Sequence, residues 1–144
     1  MSALSNVQIA SIARLHYHTK DYFAGCFCTD TLPVKVAKYL SFVICNTAAS
    51  YTGGEHWISL CFLGRQRKVD YFDSMGEDIT TYHPSLLRFI ERNSNGDYNY
   101  NPHKYQSEQS SVCGHYTLFF SDMRCKNVSF ENCFQALDLS LIHI

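Results

Sequence analysis

Several things are scarce in this chain, and each shortage removes a class of function. Neither sign of charge is in excess: 12 Lys and Arg face 13 Asp and Glu, for a net charge of −1 over 144 residues. The chain as a whole therefore carries no field suited to a polyanion. Arg65, Arg67 and Lys68 form one local basic cluster, which reads as a solvated turn. No apolar run approaches the roughly 20 residues that a membrane span needs, so no membrane role is expected. There is no repeat, no low-complexity tract and no linker, and a single domain over residues 1–144 is expected. No leader-like segment is visible. The 7 cysteines, an odd number, are therefore read as mostly free thiols in a reducing intracellular compartment.

Apolar and aromatic side chains are what the chain has in quantity. They make up 46% of it, with 10 Phe, 10 Tyr and 1 Trp, which is the composition of a packed core. "NVQIASIARLHYH" has apolar residues near helical spacing, with Ser5 as its N-cap. Pro33 in "DTLPVKVAKYL" suggests a second helix start. "SFVICNTA" and "HWISLCFLG" read as buried strands. In the latter, His56, Ile58, Leu60 and Phe62 share one face, and Trp57, Ser59 and Cys61 the other. "KVDYFDS" returns as an antiparallel partner. "HPSLLRFIERN" reads as a helix opened by Pro84, and "YNYNPHKYQ" as an extended segment. "SSVCGHYTLFFSDMRC" is a strong helix, and "ENCFQALDLSLI" closes the chain as helix or helix plus strand. The mixture is α+β.

Cys113 stands apart from the other cysteines because it opens a helix. The helix dipole and the free N–H groups there favour the thiolate, the nucleophilic form. Gly114 after it suits a close approach of substrate to the backbone. His56 begins a central strand, behind "TGGE". If the chain turns near residues 64–66, Asp73 comes back beside it, completing a Cys–His–Asp constellation for thiol acylation. Asp70 and Glu77 are competing acids, although Asp70 faces the other side of a regular strand. A zinc site from His16, His18, Cys26 and Cys28 is a rival constellation, but its H-x-H and C-x-C pairs lack the usual spacing.

"VICNTAASYTGGEHW", then Asp73 in "YFDSMG", then "YQSEQSSVCG" closely resemble the adenovirus-type cysteine endopeptidases, the adenains. The order His, acid, Gln, Cys also runs through the wider group that cleaves ubiquitin-like modifiers, so a deconjugating protease, or an inert binding module of the same fold, is the alternative reading. The resemblance covers roughly residues 20–122. It implies a central mixed or antiparallel sheet flanked by helices, with the nucleophile at a helix N-terminus. It makes Cys113 the nucleophile, His56 the base and then the acid, and Asp73 the residue that orients it, where adenains more often carry Glu. Gln106 would supply the oxyanion hole, with Gln109 as the alternative. Gly53, Gly54, Glu55, Trp57 and Gly114 would border the substrate cleft.

The implied substrates are viral precursor polypeptides, cleaved at Gly-containing sites during virion maturation by a monomeric enzyme in the virion and host cell interior. No metal or cofactor is implied. Adenains are activated by a viral peptide disulfide-linked upstream of the Gln, but "RNSNGDYNYNPHKY" has no cysteine. Any activating peptide would bind non-covalently, and the charge of −1 speaks against a DNA cofactor. The 31 residues after Cys113 leave room for only part of the adenain C-terminal helical lobe.

Overall fold

The structure, a computed structural model, describes residues 4–36, 41–52, 56–62, 68–101, 103–105 and 113–138. Among them are four helices, α1 (Asn6–Leu15), α2 (Pro84–Asn93), α3 (Cys113–Cys125) and α4 (Phe130–Asp138). The strands are β1 (Phe23–Phe27), β2 (Ser41–Asn46), β3 (Trp57–Phe62), β4 (Val69–Phe72) and β5 (Tyr98–Tyr100). They form one sheet in the order β1-β2-β3-β4-β5. The middle is an antiparallel meander, β2-β3-β4, and both outer strands pair parallel to their neighbours. The α+β class, the mixed sheet and the antiparallel pairing of β3 with β4 all agree with the reading of the sequence.

β2, β3 and β4 are buried along their whole length because both faces of the sheet are covered. On one face Phe42, Ile44, Trp57, Cys61 and Phe72 pack against α1, α3 and α4. On the other, Val43, Ile58, Leu60 and Tyr71 pack against Leu86, Phe89 and Ile90 of α2. The expected division of β3 into two faces therefore holds.

α1 opens as anticipated. Ser5 Oγ accepts from the Gln8 N–H at 3.2 Å, and Gln8 Oε1 accepts from the Ser5 N–H at 2.8 Å. Such a reciprocal cap is worth about 1 kcal/mol. α2 begins with Pro84 in its first turn, where the missing N–H costs nothing. The helix expected near Pro33 does not form over the described residues 32–36. The reason lies across the surface, in the last turn of α2. Arg92 donates to the carbonyls of Pro33 (3.2 Å) and Val34 (3.1 Å), and Asn93 Oδ1 accepts from the Val36 N–H (2.8 Å). These side chains satisfy the backbone groups that a helix would have paired internally. None of the helices is long and apolar enough to cross a membrane, among the described residues.

Candidate active site

Three elements converge at one end of the sheet. Cys113 is the first residue of α3. His56 immediately precedes β3 and is held to the neighbouring strand by its carbonyl, which accepts from the Thr47 N–H at 2.8 Å. Asp73 immediately follows β4. The β3–β4 register pairs Ser59 with Phe72, so the end of β4 returns beside the start of β3. The hairpin thus carries Asp73 to His56 across seventeen residues of sequence.

His56 Nε2 donates to Asp73 Oδ1. That leaves Nδ1 for the sulfur, and Cys113 and His56 share a side-chain hydrogen bond. The sulfur also accepts from the backbone N–H groups of Trp57 and Gly114. Cys113 is only 9% exposed, the His56 side chain 13%, and Asp73 fully buried, so water screens these groups weakly.

The electrostatics follow from this geometry. Burial opposes charge on all three groups, and the partners override it. His56 is raised to about 9 because Asp73 and the Cys113 sulfur both favour the imidazolium. Asp73 is held below the usual carboxylate range by His56, Tyr82 and the Met75 N–H. Burial would raise Cys113, yet His56 and the two backbone donors bring it below an ordinary thiol. The other six cysteines move the opposite way. Burial pushes Cys26, Cys125 and Cys133 up to about 12 and also raises Cys28, Cys45 and Cys61. All seven are free thiols. Both shifts favour a thiolate–imidazolium pair at Cys113 and His56 over the neutral pair.

Two residues that sequence reading missed complete the acid's surroundings. Tyr82 donates its hydroxyl to Asp73 Oδ2 at 2.5 Å, and its ring centroid lies 6.2 Å from that of His56. Asn101, buried, clamps the Asp73 backbone from both sides. Its Oδ1 accepts from the Asp73 N–H at 3.0 Å and its Nδ2 donates to the Asp73 carbonyl at 2.5 Å. The Met75 N–H (2.9 Å) and Glu77 N–H (3.3 Å) fill the remaining acceptor positions on the carboxylate. Tyr82 sits in an irregular segment before α2, where no periodicity gives side-chain direction. Asn101 precedes a proline, which holds its backbone extended but gives its side chain no direction.

The competing groups lie elsewhere. Asp70 points to the α3 side and pairs with Arg124 at 2.8 Å. Glu77 meets the site through its backbone: the N–H just described, and a carbonyl that accepts from Tyr71 at 2.7 Å. His115 Nδ1 is buried with no hydrogen-bond partner among the described residues. His16 pairs with Asp122 at 2.8 Å, and no group of three or more His, Cys, Asp or Glu converges as a metal site among the described residues.

Gly114 is buried, and a β-carbon there would lie 3.3 Å from both Leu4 and Ile9 and 3.4 Å from Trp57. The Trp57 indole N–H donates to the Leu4 carbonyl at 3.1 Å. Packing of the N-terminal segment against α3 and β3 thus accounts for the glycine at 114. Gly53, Gly54, Glu55, Gln106 and Gln109 lie outside the described residues.

The sequence model of the Ulp1 protease family, C-terminal catalytic domain, matches residues 10–141. This chain belongs to that family. Among solved structures it resembles the crystal structure of the ASFV pS273R protease, with a TM-score of 0.66 at 18% identity. The alignment covers 92% of this chain and 61% of that one. The selenomethionine form of the same protease matches with a TM-score of 0.51 and 24% identity, over 66% of this chain and 38% of that one. At these identities the likeness establishes the fold, an arrangement of sheet and helices common to this family member and the viral protease. The chain spans about three-fifths of the length of that neighbour. No curated protein matches it by sequence.

Proposed function

We propose that this chain is a cysteine protease acting by acyl transfer at Cys113. The observation that carries the reading is the continuous chain Cys113–His56–Asp73, with the one thiol of seven that is shifted toward the thiolate. In the first half-reaction the sulfur attacks the scissile carbonyl carbon and a C–S bond forms. His56 gives its Nδ1 proton to the leaving amine as the peptide bond breaks. In the second, His56 takes a proton from water, the hydroxide adds to the thioester, and the thiolate leaves. Asp73 keeps the imidazole oriented and supports its positive charge. Gln106, with the Cys113 backbone N–H, is the proposed donor pair for the oxyanion. Loss of one such donor typically costs about 3 kcal/mol of barrier. Gly53, Gly54 and Glu55 are proposed to line the substrate cleft, with Trp57 and Gly114 behind it.

The finer reading is a viral or virus-derived endopeptidase that cleaves precursor proteins at Gly-containing sites in the virion or host cell interior. The likeness to a viral protease supports it. The membership of the Ulp1 family favours a second reading, release of a ubiquitin-like modifier from its conjugates.

A Gly-containing peptide vinyl sulfone, followed by mass spectrometry, tests the chemistry. Labelling of Cys113, absent in Cys113→Ala, is expected. No label, or a label on another cysteine, overturns the assignment. Processing of short Gly-containing peptides supports the endopeptidase. Turnover only of folded modifier fusions ending in Gly-Gly supports the deconjugating enzyme.

A further inference from the structure

The interface between α3 and β3 is apolar apart from one line of hydroxyls. Thr117, Ser121 and Ser59 are fully buried among Trp57, Phe42, Cys61 and Phe120. Thr117 Oγ1 lies 2.7 Å from the Cys113 carbonyl and 3.2 Å from the Trp57 carbonyl. Ser121 Oγ lies 2.8 Å from the Thr117 carbonyl and 2.8 Å from Ser59 Oγ. Ser59 Oγ in turn lies 3.4 Å from Cys61 Sγ.

Proton counting gives this line a direction. A carbonyl can only accept, so the single Ser121 proton goes to the Thr117 carbonyl. Ser59 must therefore donate to Ser121, and Cys61 S–H to Ser59. Thr117 donates to the Cys113 carbonyl, with the Trp57 carbonyl as its second acceptor. Along α3 the donors run back toward the turn that holds Cys113, and the Ser59–Ser121 rung crosses from strand to helix.

The spacing fits as well. Residues 113, 117 and 121 repeat every four positions on the helix, about 6.0 Å. Residues 57, 59 and 61 repeat every two on the strand, about 6.7 Å. The two repeats nearly coincide, so successive rungs meet. The last rung is the Trp57 N–H donated to the Cys113 sulfur.

We propose that Thr117 and Ser121 are positioning residues, forming with Ser59 a polar ladder that sets the register of α3 on β3 and so seats the Cys113 sulfur between His56 and the Trp57 N–H. Apolar packing alone is non-directional and would tolerate a small slide or rotation of the helix. Hydrogen bonds in a dry interface do not, because a displaced hydroxyl is left unsatisfied. The proposal rests on Cys113 being the nucleophile.

The test needs no substrate. The rate of iodoacetamide alkylation at Cys113, located by mass spectrometry, is followed from about pH 5 to about pH 10, where thiolate fraction sets the rate. In Thr117→Val the neutral-pH rate is expected to fall about tenfold and the profile to move up toward an ordinary thiol. Thr117→Ser keeps the hydroxyl and loses a methyl, so reactivity should return to within about twofold of the parent while the urea midpoint drops. Ser121→Ala, which severs the rung to Ser59, should lower the rate about threefold. A structural role alone would rank the variants by stability, and this proposal ranks them by hydroxyl. If Thr117→Val alkylates like the parent, or Thr117→Ser falls as far as Val, the ladder is overturned. An ordinary thiol profile at Cys113 in the parent itself would instead defeat the protease reading.

Discussion

Asp70 and Asp73 leave the same stretch of chain three residues apart, and each meets a basic partner. Asp70 faces the α3 side and accepts from Arg124 at 2.8 and 2.9 Å and from Asn99 at 3.0 Å. Arg124 is itself tied to the Val128 carbonyl at 2.6 Å. Asp73 faces the other way and holds an imidazole whose second nitrogen is against a thiol. The same carboxylate therefore does two jobs. Paired with a guanidinium that is itself tied to a backbone carbonyl, it fastens a helix to a strand. Paired with an imidazole, it supports the imidazolium that favours the thiolate beside it.

Neutralising the reactive member of the pair should have the largest effect. Asp73→Asn should cut turnover by about 10²–10⁴-fold, the usual worth of positioned acid–base catalysis, as measured on a Gly-containing peptide. It should also carry the alkaline limb of the rate profile below its parental position near 9, because the imidazolium loses its main support. Arg124→Met makes the opposite break. Leaving Asp70 without its cation should cost about 3 kcal/mol of stability, read by urea denaturation. Alkylation of Cys113 should keep its parental pH profile.

A third expectation concerns pH. His56 is raised from 6.5 to about 9, so its contribution to stability is complete below about 6.5 and is lost as pH rises through about 9. Asp73 is lowered from 3.8, so its contribution is present above 3.8 and lost as pH falls through its depressed value. Cys113 is lowered and acts in the opposite sense on the alkaline side, offsetting part of the His56 loss, so the acid limb should be the steeper one and Asp73→Asn should flatten it. A midpoint for Asp73→Asn that still declines toward low pH as steeply as the parent would place the titration elsewhere. The smallest effect is expected from Tyr82→Phe, which removes one donor from Asp73 Oδ2. Loss of one such hydrogen bond, about 1 kcal/mol, corresponds to a fewfold drop in turnover with little change in fold.

The meander and the helix that starts at Cys113 were legible because their patterns are periodic: two faces on β3, a return strand after a polar turn, an apolar run behind Cys113. The parity of β4 alone separated Asp73 from Asp70, and the structure agrees. What could not be read is what holds Asp73 in place. Tyr82 and Asn101 come from irregular segments, where side-chain direction depends on tertiary packing and not on a local repeat. The helix expected at Pro33 failed for a related reason. Its backbone partners, Arg92 and Asn93, lie nearly sixty residues away in sequence. Gly114 was read as an opening for substrate; that a β-carbon there would meet Leu4 and Ile9 could not be read, because no local pattern connects them to it.

The parallel pairing of the two outer strands has a consequence for how the molecule is built. β2, β3 and β4 form a meander of short-range pairings, and such local contacts assemble early. His56 and Asp73 both belong to that early unit. Cys113 comes from α3, forty residues beyond Asp73 and, along the chain, after the parallel crossover to β5. Until α3 docks, the Cys113 sulfur has neither the imidazole nor the Trp57 N–H beside it and behaves as any exposed thiol. The shifted thiol is thus a property of the folded molecule, and the unfolded chain carries seven ordinary thiols.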